Sequence, residues 1–176
     1  MIHYYCWLFA LILPFFAQAQ AFETPFERNN NYSAAHHEAI THYEALQAAY
    51  PEQVHLNSHG MTDAGFPLHT VVLDKNGDFS PEQVKANNKV VIFINNGIHP
   101  GEPCGVDASM MLVRDYLDGK LDNDYLERVT LVIIPLYNIG GSLNRGSYSR
   151  ANQQGPEYYG FRGNAKNLDL NRDFIK

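Results

Sequence analysis

No histidine follows His99 in this chain, and beyond Arg172 the only acidic residue is Asp173. Basic residues are the minority, Lys+Arg 13 against Asp+Glu 19 for a formal net charge of -6, and no basic patch stands out. That pattern excludes nucleic acid as an expected partner. Cysteine is nearly absent, with only Cys6 and Cys104. The first nineteen residues contain no Asp, Glu, Lys or Arg at all. There is no internal repeat. What remains is a globular composition, 45% hydrophobic and 18% charged, in a length typical of one domain.

The uncharged start has a specific reading. Trp7 to Phe16 is an apolar run, and Ala17-Gln18-Ala19 places small residues where a signal peptidase reads them. The run is shorter than the roughly 20 residues that span a bilayer, so residues 1–19 are expected to be a cleaved secretory signal peptide. His3 stands where a basic residue is usual. The expected location is secreted or periplasmic, with no membrane span after cleavage behind Ala19. Cleavage removes Cys6 and leaves Cys104 alone, so the exported chain has no internal disulfide to rely on.

Residues 20–32 read as a polar, aromatic, irregular arm. Ser33 to Tyr50 has helical spacing in Ile40, Tyr43, Leu46 and Gln47, with Ser33 as a cap and Pro51 as the stop. Val54–Ser58 and Leu68–Asp74 read as strands, followed by turn chemistry in Lys75-Asn76-Gly77-Asp78. Lys89 to Asn95 and Val129 to Pro135 are near-continuous apolar runs, the pattern of strands buried on both faces. Between them Val106, Met110, Val113 and Leu117 recur at helical spacing, predicting a helix over 101–117. Strand, helix, strand in that order predicts a parallel pair in an α/β sheet. From Asn138 to Asn167 the chain is rich in Gly, Asn, Ser and Tyr without periodicity, a long loop of the kind that carries function.

His99 lies four residues beyond the first apolar strand, and Glu102 follows where the helix is expected to open. The carboxyl ends of buried strands are where open α/β sheets place their sites. Pro100 suits a first helical turn and Gly101 a tight bend. A spacing of three lets an imidazole nitrogen and a carboxylate converge on one cation, and that donor pair suits catalytic zinc. Taken by itself the pair also fits a plain helix N-terminus, with Glu102 favoured by the dipole. His36, His37, His55 and His59 lack a third partner at useful spacing and read as solvated. Cys104 reads as a small buried residue under the helix.

Three segments in order resemble the zinc metallocarboxypeptidases, the carboxypeptidase A-like family. NNGIHPGEPCGVDAS is similar to that family's first zinc-ligand segment. VIIPLYNIGG is similar to its next strand and loop, although Ile139-Gly140-Gly141 stands where Pro-Asp-Gly is usual after Asn138. FRGNAKNLDLNRDF is similar to the Arg-x-Asn and Asp-Leu-Asn-Arg segment, with Asn171 72 positions after His99. The resemblance implies a mixed, largely parallel sheet flanked by helices, and one zinc ion with His99 and Glu102 as two of its three ligands. It also implies that Asn171 and Arg172 hold the free α-carboxylate of a peptide, chemistry that suits an amide and a guanidinium. Arg162 is implied as the arginine that polarises the scissile carbonyl, with Arg150 in SYSRANQQG as the competing candidate.

The departure lies downstream. The family places a third ligand, a His, and a general-base Glu after the Asn-Arg pair, and neither occurs here. Residues 33–176 are therefore expected to be the N-terminal portion of a catalytic domain, inactive alone, whose sheet ends in an exposed apolar edge. The expected activity of the complete domain is zinc-dependent hydrolysis of a C-terminal peptide bond. Two other readings stay open: an amidase or deacylase acting on N-acyl amino acids or cell-wall peptides, and a non-catalytic exported peptide-binding domain.

Overall fold

The computed structural model describes residues 22–121 and 125–172. The expected signal peptide lies outside the described residues, as do Asp173 and Phe174 of the C-terminal motif.

A mixed four-stranded sheet carries the structure, in the order β1-β2-β4-β3. The strands are β1 (Val54–Met61), β2 (Pro67–Leu73), β3 (Val90–Asn95) and β4 (Val129–Ile134). The expected parallel pair is present: β3 and β4 run together from Val90↔Val129 to Asn95↔Ile134. The sheet is not largely parallel among the described residues, because β1–β2 and β2–β4 are both antiparallel. For β1–β2 the cause is the connection. Residues 62–66 close a tight hairpin, Thr62 N–H donating to Phe66 O at 2.9 Å, and a short link of this kind joins only antiparallel strands.

Helix α1 (Pro25–Arg28) lies in the expected irregular arm, where Thr24 accepts from Glu27 N–H and Glu27 reaches back to Thr24 N–H. Arg114 holds this arm down, donating to Phe22 O at 3.1 Å and pairing with Glu27. Helix α2 (His36–Ala49) begins three residues later than expected. Ser33 is not its cap: Glu38 closes the first turn by accepting from Ala35 N–H at 2.9 Å, while Ser33 O accepts from Arg145 at 2.9 Å. Helix α3 (Pro81–Ala86) is short, and helix α4 (Cys104–Leu117) forms the β3–β4 crossover.

The core lies between one sheet face and two helices. Tyr43 and Leu46 of α2, Val106, Met110 and Val113 of α4, and Val54, Val71, Leu73 and Ile133 of the sheet are all buried in it. Full burial of each large side chain is worth about 1.5–3 kcal/mol. At the sheet's far end Lys89 is sealed between Asp74 at 2.6 Å and Asp78 at 2.9 Å, tying β2 to the start of β3.

Strand β3 departs from expectation. It lies at one edge of the described sheet, and Val90, Val91, Ile92 and Phe93 are 45–62% exposed. The apolar run was expected to be buried on both faces, but an edge strand has a neighbour on one side only. Strand β4, flanked by β2 and β3, is buried as expected.

Candidate metal and substrate site

The site is built where the parallel pair ends. Past β3 and β4 the ladder continues irregularly, Tyr137 N–H donating to Asn96 O at 2.8 Å and Asn138 N–H to Gly97 O at 3.1 Å. This brings the His99 turn beside the loop that follows β4. Within the turn Glu102 N–H donates to His99 O at 2.8 Å, so both side chains leave one tight bend. Neither Glu102 nor Gly101 is helical, because α4 starts at Cys104 with Pro103 as its cap. Cys104 is exposed rather than buried under the helix, since Val106, Met110 and Val113 take the core-facing positions.

The expected loop after Asn138 contains a short helix, α5 (Ile139–Leu143). Asn138 is buried and binds in three directions. Its Oδ1 accepts from Gly141 N–H at 2.8 Å, and its Nδ2 donates to Ile98 O at 3.2 Å and Arg162 O at 3.0 Å. One amide thus fixes the backbone beside His99 and the backbone of Arg162. Gly141 lets the chains approach: a Cβ there would stand 2.4 Å from Phe161 O. That contact explains why glycine stands at 141.

The site residues form one run of contacts. Arg150 Nη1 is 2.8 Å from Glu102 Oε1, and the same oxygen is 3.6 Å from His99 Nδ1. On its other side His99 Nε2 is 2.9 Å from Asp169 Oδ1. Arg162 donates from Nε to Asp169 Oδ2 at 2.9 Å, and its Nη2 lies 2.8 Å from the same oxygen as an ion pair. Asn171 N–H donates to Asp169 Oδ1 at 3.0 Å, and Arg172 N–H to Asp169 O at 3.0 Å. His99 is buried, whereas Asn171 and Arg172 are exposed on a 3₁₀ turn over Leu170–Arg172.

Asp169 is the residue the sequence reading passed over. It lay in the quoted LDLNR segment, but only folding reveals that it faces an imidazole 70 positions away. The hydrogen bond from His99, aided by the Asn171 amide and the Arg162 guanidinium, lowers its carboxyl to about 2 against the opposing cost of burial.

The donors fit zinc geometrically. Two ligand atoms held about 2.0–2.2 Å from a tetrahedral ion stand roughly 3.4 Å apart, and His99 Nδ1 and Glu102 Oε1 are 3.6 Å apart. No cluster of three His, Cys, Asp or Glu able to hold a metal occurs among the described residues. Of the other histidines, His55 stacks on Phe79 and exposed His59 bonds Thr70. His36 is buried rather than solvated, its ring lying against Phe66 and near His69. A cleft of about 520 Å³ adjoins Glu102, lined in part by Phe26, Tyr32, Pro103, Met111 and Pro156. No helix among the described residues is long and apolar enough to cross a membrane.

The sequence profile of the zinc carboxypeptidases matches residues 40–176. The chain belongs to the zinc carboxypeptidase family. Solved structures of carboxypeptidases share its fold. Carboxypeptidase A from Helicoverpa armigera is 14% identical, with TM-score 0.56 over 65% of this chain and 26% of its own. Thrombin activatable fibrinolysis inhibitor is 19% identical, with TM-score 0.58 over 86% of this chain and 36% of its own. A metallo-carboxypeptidase from Burkholderia cenocepacia is 24% identical, with TM-score 0.52 over 77% and 32%. The chain thus spans about a third or less of the length of these zinc carboxypeptidase-like structures. No curated protein sequence matches it.

Proposed function

We propose that this chain is the part of an exported zinc carboxypeptidase that supplies two metal ligands and the clamp for a peptide's C-terminus. The observation that carries the reading is His99 Nδ1 and Glu102 Oε1 at tetrahedral separation, with the opposite imidazole nitrogen held by Asp169. A carboxylate behind a ligating histidine fixes ring orientation and tautomer and raises ligand basicity. Zinc, when bound, supplies Lewis-acid polarisation of the scissile carbonyl and activation of water.

The chain's own residues bind and orient the substrate. Asn171 and Arg172 sit exposed beside Asp169, which supports a role in receiving a free α-carboxylate. A guanidinium can take both carboxylate oxygens while an amide adds a further donor. For the carbonyl-facing role we favour Arg150 over Arg162. Arg150 makes an ionic contact with Glu102 through Nη1 alone, whereas Arg162 has two nitrogens committed to Asp169. The full reaction would be removal of a C-terminal amino acid by the whole protein.

The test uses the chain with zinc and with one peptide in two forms, carboxylate-ended and amide-ended. Zinc affinity that falls at least tenfold in both His99→Ala and Glu102→Ala is expected, as is preferential binding of the carboxylate-ended form that Arg172→Ala removes. Equal zinc affinity in wild type and both variants would overturn the ligand assignment. Equal binding of the two peptides would overturn the clamp.

A further inference from the structure

We propose that Arg150 and the metal compete for one oxygen of Glu102, so that metal binding releases the Arg150 guanidinium. The inference rests on the metal-site reading of His99 and Glu102, and adds what that site does to its neighbouring arginine.

The competition is for a single atom. Arg150 Nη1 lies 2.8 Å from Glu102 Oε1, and this is the oxygen that faces His99 Nδ1 at 3.6 Å. An ion held by that pair bonds its donor atoms at about 2.0–2.2 Å. With Arg150 in place, the ion and Nη1 would then stand no more than about 5 Å apart. Both carry positive charge. A guanidinium stays protonated throughout the working pH range, so losing a proton cannot relieve the repulsion and only movement can. Hydrogen bonds behind a ligand carboxylate commonly support the metal, whereas a full positive charge on the ligating oxygen itself opposes it.

The loop lets the guanidinium leave while its backbone stays. Ser149 Oγ donates to Gly160 O at 3.1 Å and Gln153 Nε2 to Gly101 O at 3.0 Å, one anchor on each side of Arg150. The buried Tyr159 adds a hydrogen bond from its hydroxyl to Ser147 O at 2.8 Å. Beyond the stem the pair is open to water, the side chains being 31% exposed for Arg150 and 52% for Glu102. Rotation about the outer bonds of Arg150 therefore moves the charge without moving the turn that bears His99 and Glu102. Arg162 lacks this freedom, with Nε and Nη2 both on Asp169. A guanidinium displaced from Glu102 stays tethered beside the ion, so the arginine assigned to the scissile carbonyl becomes available only when the metal is present.

The test measures zinc affinity by chelator competition in the 176-residue chain, comparing wild type with His99→Ala, Arg150→Gln, Arg150→Lys, Glu102→Gln and the Arg150→Gln/Glu102→Gln double variant. Arg150→Gln is expected to bind zinc about tenfold more tightly, the scale of two cations kept apart in a wet site. A residue that merely supports the loop would give the opposite sign. Arg150→Lys keeps the charge and should tighten zinc less. Added salt should bring wild type and Arg150→Gln together, because the pair is exposed to screening. In the Glu102→Gln background the change at 150 should have no effect. A second readout is the ¹H–¹⁵N spectrum of the Arg150 guanidinium in the wild type, which zinc should shift toward that of a solvated arginine. It needs no substitution, so the proposal stays open to refutation if a variant does not fold.

Zinc affinity that is unchanged or weaker in Arg150→Gln, or an Arg150 signal that zinc does not move, would overturn the competition. If His99→Ala loses zinc while Arg150→Gln leaves it unaltered, the metal site stands and only the competition falls. Equal zinc affinity in wild type and His99→Ala would instead remove the site, and the competition with it.

Discussion

Arg150 and Gly101 are in contact in a way that no residue other than glycine would allow: a Cβ at 101 would lie 2.6 Å from Arg150 Cδ and 3.0 Å from Gly160 O. The Arg150 stem thus crosses the bare backbone of the turn and delivers its guanidinium to Glu102 at 2.8 Å.

Gly101→Ala is accordingly expected to displace Arg150 and strain the Gly160 backbone. Overpacking of this kind costs about 1–3 kcal/mol. Urea unfolding of the variant should show the loss, and the Arg150→Ala background should recover only part of it, because the Gly160 carbonyl does not move away as a side chain can. Full recovery would show that the arginine alone sets the limit.

A second expectation concerns pH. Burial pushes Asp107 up to about 6, against the hydrogen bonds it accepts from the Ala34 and Phe26 amides, with Glu38 raising it further and Arg145 opposing. Tyr43 is raised chiefly by its own complete burial and further by the Asp107 charge. A folded value above the unfolded one of 3.8 means that this group's contribution is fully present below about pH 4. It is lost as pH rises through 6. Asp107→Asn should therefore gain on the wild type between pH 4 and 7, by about 2 kcal/mol once solvent screening is allowed for. His42, lowered to about 4 by burial, runs the opposite way: its contribution is present above pH 6.5 and lost as pH falls toward 4. It is common to both proteins and cancels in the difference. A flat difference across pH 4–7 would show that Asp107 titrates normally.

The third expectation follows from β3. Its exposed Val91, Ile92 and Phe93 offer an open, apolar strand edge, a ready template for pairing with another chain. The isolated 176-residue chain should associate as its concentration rises, and Ile92→Lys should reduce that association in light scattering without changing the β3–β4 register. Equal scattering from both proteins would place the sticky surface elsewhere.

How much of this was legible beforehand depends on the kind of interaction. The β3–α4–β4 crossover was readable because hydrophobic period is local: Val106, Met110 and Val113 fall on one face whatever lies against them. The burial of β3 was not, since an apolar run records what a strand prefers to touch, and the touching partner is set by sheet order. His36 and Cys104 were misjudged for the same reason. The histidine is buried where α2 meets β2, and the cysteine is exposed because α4 starts at 104 and turns it outward.

The sequence by itself determined the β3–α4–β4 order, the family motifs and the three-residue spacing of His99 and Glu102, all of which rest on short-range patterns. Tertiary structure alone decided that Asp169 stands behind His99 and that Arg162 grips Asp169 while Arg150 reaches Glu102. Those contacts join loops 48 to 70 positions apart, apart from the local Arg162–Asp169 pair. Which loop arginine meets which carboxylate depends on distances of a few ångströms, and these exist only once the ends of β3 and β4 and the Asn138 amide have fixed the loops in place.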